Sequence, residues 1–239
     1  QTLGLRYSIG ASLILFLAST GVLLLLRAQP VVPAHSSGAR YRPLFRNRPF
    51  LGFLALTVAV LFAVQVGLPL MPNFLQEVRG LDVALIGLLG SVNALGVTAA
   101  NLIFGRLSRP RVCLLIALSA TAAALALLLA TGSLPLLFGV YLLRSGWNLA
   151  VSMTLAQVGR MVSQAEIGLA YGVLETMVAL AQMLGPLAAG ALYAAQPALP
   201  FQVSLALSLL ALPLIWRFAP RRDAHSEIEA LAAPARDPA

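Results

Sequence analysis

Long apolar runs separated by short polar segments form the dominant pattern along this chain. An apolar helix needs about 20 residues to cross a bilayer core of about 30 Å, and seven runs are long enough. The expected spans are residues 3–26, 50–75, 84–104, 112–130, 134–158, 167–195 and 200–218. The pattern therefore predicts an all-α membrane protein with seven transmembrane helices.

The composition excludes several other classes of protein. The chain is 59% hydrophobic and only 10% charged, whereas soluble domains are about 25% charged. Cys113 is the only cysteine, and His35 and His225 lie in polar segments, so we expect neither a disulfide nor a metal site. The absence of lysine excludes a Schiff-base cofactor. We expect no cofactor and no enzyme activity.

The arginines favour one direction of insertion. All 16 basic residues are arginine, which gives a net charge of +8. If every apolar run crosses, thirteen arginines fall on one side: 27, 40, 42, 46, 48, 106, 109, 111, 160, 217, 221, 222 and 236. Arg6 and Arg79 fall on the other side, and Arg144 lies within a span. Basic connections stay in the cytoplasm. This asymmetry predicts a cytoplasmic C-terminus, and it explains the basic charge without a nucleic-acid partner.

Arg144 is the first candidate for a functional residue, because a charged side chain inside a span is costly. It lies about 15 Å into the fifth span at 1.5 Å per residue. Tyr141, Asn148 and Ser152 share its helical face. We favour a wall that faces water or substrate. The alternative is a structural arginine bonded to carbonyls of a neighbouring helix.

Glu175 is the second charged candidate. Gln182 and Pro186 fall on nearly the same face of the sixth span. An embedded carboxylate can carry a proton, and the depths of Glu175 and Arg144 would allow the two side chains to interact. Equally, the carboxylate could serve only to neutralise an arginine or to bond a backbone amide.

The remaining spans offer weaker signals. Gln65 and Asn73 of the second span are candidate substrate contacts, and Pro69 and Pro72 between them should bend or break the helix. Small or polar residues recur along one face of the third span, which is expected to pack closely on another helix: Gly87, Ser91, Ala94, Thr98, Asn101 and Gly105. The uncharged fourth span is expected to be a lipid-facing support helix.

Four segments resemble motifs of the major facilitator superfamily. LFRNRPF (44–50) resembles the end of its central cytoplasmic loop, and GRLSRPR (105–111) resembles its short basic gating loop, with Gly105, Arg106, Arg109 and Arg111. Arg109 stands where that loop usually has an acidic residue. LLRSGWNLA (142–150) is similar to the fourth-helix arginine motif, and MLGPLAAG (183–190) to the Gly-Pro motif associated with antiporters.

The resemblance implies one organisation and one function. Residues 1–26 would be the last helix of an N-terminal bundle, 27–49 the central loop, 50–218 a six-helix C-terminal bundle, and 219–239 a cytoplasmic tail. The family moves small molecules by alternating access between two bundles. Arg144 would be the arginine implicated in proton coupling, and Gly185, Pro186 and Gly190 would form the Gly-Pro motif.

The resemblance therefore implies a proton-coupled transporter of a small organic solute, an efflux antiporter of the bacterial inner membrane. Its partners would be the solute, protons, the lipid bilayer and a missing N-terminal half. A seven-helix receptor and a membrane-embedded enzyme are the alternatives. The chain has no Asn-Pro-x-x-Tyr near its last span, as such receptors have, and no evident nucleophile and base within its spans.

The expected topology can be tested by cysteine accessibility. Cysteines at positions 45 and 80 should react with a membrane-impermeant reagent from opposite sides, because one apolar span separates them. Labelling of both positions from the same side would contradict this topology.

Overall fold

The computed structural model describes residues 2–25, 41–104, 110–162 and 166–218. The chain divides into two compact units, Gln1–Gly38 and Ala39–Ala239. The described part of the first unit is helix α1 (Thr2–Leu25), which covers the first expected span. Helix α1 is 24 residues long, and its crossing of the membrane stays a prediction.

Helices also account for the described part of the second unit. Their bounds are α2 (Tyr41–Arg46), α3 (Arg48–Gly67), α4 (Met71–Glu77), α5 (Val83–Phe104), α6 (Pro110–Ala130), α7 (Leu134–Arg144), α8 (Gly146–Met161), α9 (Ile167–Ala195) and α10 (Leu199–Phe218).

Six continuous helical stretches among the described residues are long and apolar enough to cross a membrane. They are Arg48–Glu77, Val83–Phe104, Arg111–Ala130, Leu134–Gly159, Ile167–Ala195 and Leu199–Arg217. Their bounds lie within a few residues of the expected spans. The described chain contains no β-strand, so the all-α membrane fold expected from the sequence is confirmed.

Two of the six crossings are interrupted. A 3₁₀ turn, Leu68–Leu70, separates α3 from α4, as Pro69 and Pro72 led us to expect. The fifth expected span changes helix at Ser145, between α7 and α8. No proline lies at that second break, so the packing around it, and not a proline, interrupts the helix.

Burial differs strongly between the helices. Helix α3 packs on α9 and α10, and α6 packs on α7, α8 and α10. Half of the crossing in α6 is buried inside the unit, but only 11% of that in α5. The expectation of a lipid-facing support helix therefore holds for at most half of the α6 crossing, because its many alanines allow close packing on three neighbours.

The small-residue face of α5 also differs from expectation. Its described members, Gly87, Ser91, Ala94, Thr98 and Asn101, are all exposed on the second unit. The contacts of α5 are made by another face, where Leu89 and Gly96 are buried against the rest of the bundle. The close packing expected of this small-residue face is not found within the second unit, because no described residue of the unit covers it.

Side chains anchor the second half of the first interrupted crossing to neighbouring helices. Arg79 follows α4 and donates to the carbonyl oxygens of Leu128, at 2.8 Å, and of Thr131, at the end of α6. These are among the last carbonyls of a helix, which have no partner within the helix. The Arg79 guanidinium also lies 5.5 Å from the centre of the Phe74 ring.

Two further contacts join the same end of the unit, which we call the Arg79 end. Tyr193 of α9 donates a hydrogen bond to Glu77 of α4 at 2.9 Å. The Phe74 ring lies 4.9 Å from the ring of Phe201 in α10. Helix α4 is thus connected to α6, α9 and α10 by side chains, and the 3₁₀ turn does not leave it loose.

We expect Arg79→Ala to destabilise the chain, because two carbonyl oxygens at the end of α6, those of Leu128 and Thr131, would lose a charged donor. Hydrogen bonds to charged groups contribute about 1.5–3 kcal/mol, so the free energy of unfolding in detergent should fall by about 2 kcal/mol. The exposed Arg48 is the matched control, and Arg48→Ala should change the same quantity by less than about 0.5 kcal/mol. Equal losses in the two variants would show that the Arg79 contacts contribute nothing specific.

Candidate functional site

The break between α7 and α8 brings a charged residue to the middle of a membrane crossing. Arg144 is the last residue of the 11-residue helix α7, about 15 Å from its start. The backbone N–H of Ser145 donates to the Leu142 carbonyl at 3.2 Å, and the Ser145 hydroxyl donates to the same oxygen at 2.6 Å. This turn spans three residues instead of four, which tightens the helix where Arg144 emerges.

Close backbone contacts hold the break in place. A Cβ on Gly96 of α5 would lie 2.9 Å from the Ser145 hydroxyl oxygen. A Cβ on Gly146 would lie 2.8 Å from the Ala117 carbonyl oxygen of α6. Real Cβ atoms do not approach other atoms this closely, so glycine is needed at both positions. The break is therefore enclosed by α5 on one side and α6 on the other.

Arg144 lies beside an aromatic side chain. Its guanidinium carbon lies 5.4 Å from the centre of the Tyr141 ring, within the range of a cation–π interaction. Tyr141 is 2% exposed, and its hydroxyl has no hydrogen-bond partner among the described residues. Arg144 itself is half-buried, and within the described ranges it forms no ion pair with a carboxylate.

The polar stripe continues beyond Arg144 on the surface of the unit. Asn148 and Ser152 are both exposed. The Ser152 hydroxyl donates to the Asn148 carbonyl at 3.0 Å, and the side-chain amide of Asn148 makes no described hydrogen bond. The expected face of Tyr141, Arg144, Asn148 and Ser152 thus runs from a buried phenol to exposed amide and hydroxyl groups.

A second junction joins two predicted site residues from different helices. A Cβ on Gly185 of α9 would lie 2.6 Å from the Gln65 Cβ and 3.1 Å from the Gln65 carbonyl oxygen of α3. Gln65 is half-buried. The Gly-Pro motif therefore meets α3 at its candidate substrate residue, and Pro186 lies next to that junction inside α9.

Other candidates lie apart from Arg144. Glu175, Gln182 and Gly190 are exposed on α9, and Asn73 is exposed on α4. Helices α7 and α9 are not among the helix pairs that pack extensively on each other. The expected contact between Arg144 and Glu175 is absent from the described residues, because the two side chains extend from helices with little or no mutual packing.

The basic loop motif lies mostly outside the described residues. Gly105, Arg106 and Arg109 belong to the range that the structure does not describe, and Arg111 is half-buried near the start of α6. Within the described ranges, no group of three or more histidine, cysteine, aspartate or glutamate side chains can hold a metal ion.

Sequence reasoning missed the residues that shape the site. Ser145, Gly146 and Gly96 fix the break, and Asn47 links two helices by side-chain hydrogen bonds. The buried side-chain oxygen of Asn93 in α5 also lacks a hydrogen-bond partner among the described residues. Ser-Gly next to Arg144 was the available signal for the break, because small residues permit close helix approach.

These features define a multi-pass helical membrane protein with a polar, cationic face in an apolar bundle. A family model for the Major Facilitator Superfamily matches residues 53–237, which is more than half of the chain. The chain belongs to this superfamily of membrane transporters, whose members carry small molecules across a lipid bilayer and are not enzymes. No curated protein matches the chain.

Alanine substitutions at two glycines of the Gly-Pro motif should have different effects. Gly185→Ala places a methyl group against the α3 backbone, and overpacking of this kind costs about 1–3 kcal/mol. Gly190→Ala is the matched control, because no atom lies within 4 Å of its Cβ position. We expect the free energy of unfolding of the chain to fall only for Gly185→Ala. A loss at Gly190 as large as that at Gly185 would contradict the α3–α9 junction.

Proposed function

We propose that this chain is the C-terminal half of a secondary active transporter that moves a small organic solute by alternating access, coupled to protons. The observation that carries the proposal is Arg144, a half-buried guanidinium at a helix break, with no described carboxylate bonded to it. An unpaired charge facing hydrocarbon costs about 3 kcal/mol or more. A water-filled solute pathway removes that cost.

The pathway would run along the polar stripe beside Arg144. Asn148 and Ser152 extend it on α8, and Gln65 contributes from α3. Each of these side chains offers a donor or an acceptor to a solute, while the Tyr141 ring stabilises the guanidinium from one side. Asn73 would lie towards the Arg79 end of the same pathway, beyond the 3₁₀ turn.

Glu175 would carry the proton. Its carboxyl group is exposed on α9, a helix of 29 residues with no other acidic or basic residue. An ionised carboxylate on a membrane crossing is unfavourable in hydrocarbon, whereas its protonated form is neutral. A group in this situation can change charge as the pathway opens to one side and then the other. Gln182, two turns further along α9, would offer the next polar group.

Export in exchange for protons is the direction that we infer. MLGPLAAG is similar to the antiporter motif, and its Gly185 meets α3 beside Gln65. Helix α3, which carries the proposed solute contact Gln65, and helix α9, which carries the Gly-Pro motif, would thus meet at this junction. The protein would lie in the bacterial inner membrane with its C-terminus in the cytoplasm, which agrees with the distribution of the arginines.

A second bundle should cover what this unit leaves open. The small-residue face of α5 and the Glu175 face of α9 are exposed on two of the least buried crossings. A helix bundle supplied by the missing N-terminal half would cover both faces and enclose the pathway.

We therefore expect the purified 239-residue chain to catalyse no saturable solute flux in liposomes, because half of the pathway is absent. Co-expression with the N-terminal half should restore flux. Saturable flux by the chain alone would contradict the half-transporter proposal.

Glu175→Gln in the complete transporter should abolish proton-driven flux and retain solute exchange, because the amide cannot take up or release a proton. Asp82→Asn is the matched control, since Asp82 lies in a connection and accepts a hydrogen bond from the Ala84 backbone N–H. Its proton-driven flux should remain close to that of the unchanged protein. Solute flux that keeps its pH dependence in Glu175→Gln would reduce Glu175 to a structural residue.

A further inference from the structure

Asn47 connects three elements at the end of the unit opposite Arg79, which we call the Asn47 end. It stands between α2 and α3, and its backbone N–H donates to the Leu44 carbonyl at 3.2 Å. Its side-chain oxygen accepts from the Phe50 backbone N–H at 3.1 Å, which caps the start of α3. Its side-chain nitrogen donates to the Met161 carbonyl at 3.1 Å, at the end of α8.

The two side-chain bonds require an amide at this position. The Phe50 N–H can only donate and the Met161 carbonyl can only accept, so the side chain must offer one acceptor and one donor. Aspartate or serine can serve as the helix cap. An ionised aspartate has no donor for Met161, and serine is too short to span both partners. Both bonds join helix ends whose backbone groups lack partners within their own helix.

The link matters because α3 packs far more extensively on α9 and α10 than on α8. A small, mostly apolar cavity lies where Phe53 and Thr57 of α3, Ala150 and Thr154 of α8, and residues of α6 and α10 meet. Because direct contact between α3 and α8 is limited, a side-chain hydrogen bond between them contributes more to fixing their separation. The Asn47 bond to Met161 joins the two helices at the Asn47 end.

We propose that Asn47 is a positioning residue that holds the end of α8 to the start of α3 and so sets the width of the solute pathway at the Asn47 end. The inference rests on the proposed function, because α8 carries Asn148 and Ser152 and begins directly after Arg144. When the bond is made, the two helices move as one body. When it is lost, the last turns of α8 can move away from α3 while the break at Ser145 stays fixed.

A distance measurement on the full chain in lipid nanodiscs tests the link. In a Cys113→Ser background, spin labels replace Ala55 of α3 and Ala156 of α8, two exposed alanines. A reference pair at the Arg79 end replaces Gln76 and Leu136, which are also exposed. Pulsed electron resonance then gives both distance distributions.

Asn47→Asp and Asn47→Ser should both broaden the first distribution and shift it to longer distances, because each variant keeps the cap and loses the bond to Met161. The reference pair should not change. Unchanged distances in both variants would overturn the proposal. A shift in Asn47→Asp alone would also overturn it, because the added charge and not the lost bond would be the cause. If the aspartate variant does not fold, the serine variant decides.

Flux measurements separate this proposal from the proposed function. In the complete transporter, Asn47→Ser should lower the maximal rate of solute flux and leave KM unchanged, because Asn47 contacts no solute. A raised KM with an unchanged maximal rate would contradict the positioning role. If the unchanged transporter moves no solute, the proposed function fails, while the distance measurement still decides whether Asn47 joins α3 to α8.

Discussion

Close approach of helix backbones is the constraint on which this bundle depends. Hydrocarbon is as apolar as leucine, so helices in a membrane gain little from apolar burial against each other and associate through close packing and hydrogen bonds. Gly67 meets Ser204 of α10, where a Cβ on the glycine would lie 2.8 Å from the serine Cβ. Gly96, Gly146 and Gly185 form comparable junctions with other helices. Between them, these junctions involve α3, α5, α6, α7, α8, α9 and α10.

The same constraint explains how two arginines are accommodated in opposite ways. Arg79 lies at the end of a crossing and donates to helix carbonyls, so its role is structural. Its place on the side with few arginines therefore does not count against the predicted direction of insertion. Arg144 lies at the middle of a crossing and contacts a tyrosine ring. The close packing of Gly96 and Gly146 fixes the helix break beside it. The first arginine is bonded to helix carbonyls of the bundle, and the second forms no ion pair with a described carboxylate, which is why we propose it for the solute pathway.

Much of this fold could be predicted from the sequence. Hydropathy alone gave the bounds of the six crossings in the second unit, because a bilayer sets helix length, and Pro69 and Pro72 gave the first break. The neighbours of each helix could not be predicted, since helices adjacent in sequence need not be adjacent in space. The role of α6 and the separation of Arg144 from Glu175 depended on those neighbours.

The candidate site was predicted only in part. Helical spacing predicted one face for Tyr141, Arg144 and Asn148. The structure brings Arg144 and Tyr141 into contact, while Tyr141 is buried and Asn148 is exposed beyond the helix break. The break at Ser145 depends on glycines of α5 and on a carbonyl of α6, which are far apart in sequence. Asn47 likewise forms its second bond with a residue 114 positions away. Contacts of this kind leave no periodic signal along the chain.

Water access to position 144 tests the account most directly. In the complete transporter with Cys113→Ser, Arg144→Cys should react with a membrane-impermeant thiol reagent, because the pathway beside the helix break would contain water. Leu210→Cys, exposed in the middle of the apolar helix α10, is the reference and should react more slowly. Added solute should slow labelling at position 144 and leave position 210 unaffected. Labelling of position 144 only by a lipid-soluble reagent, with no protection by solute, would contradict it.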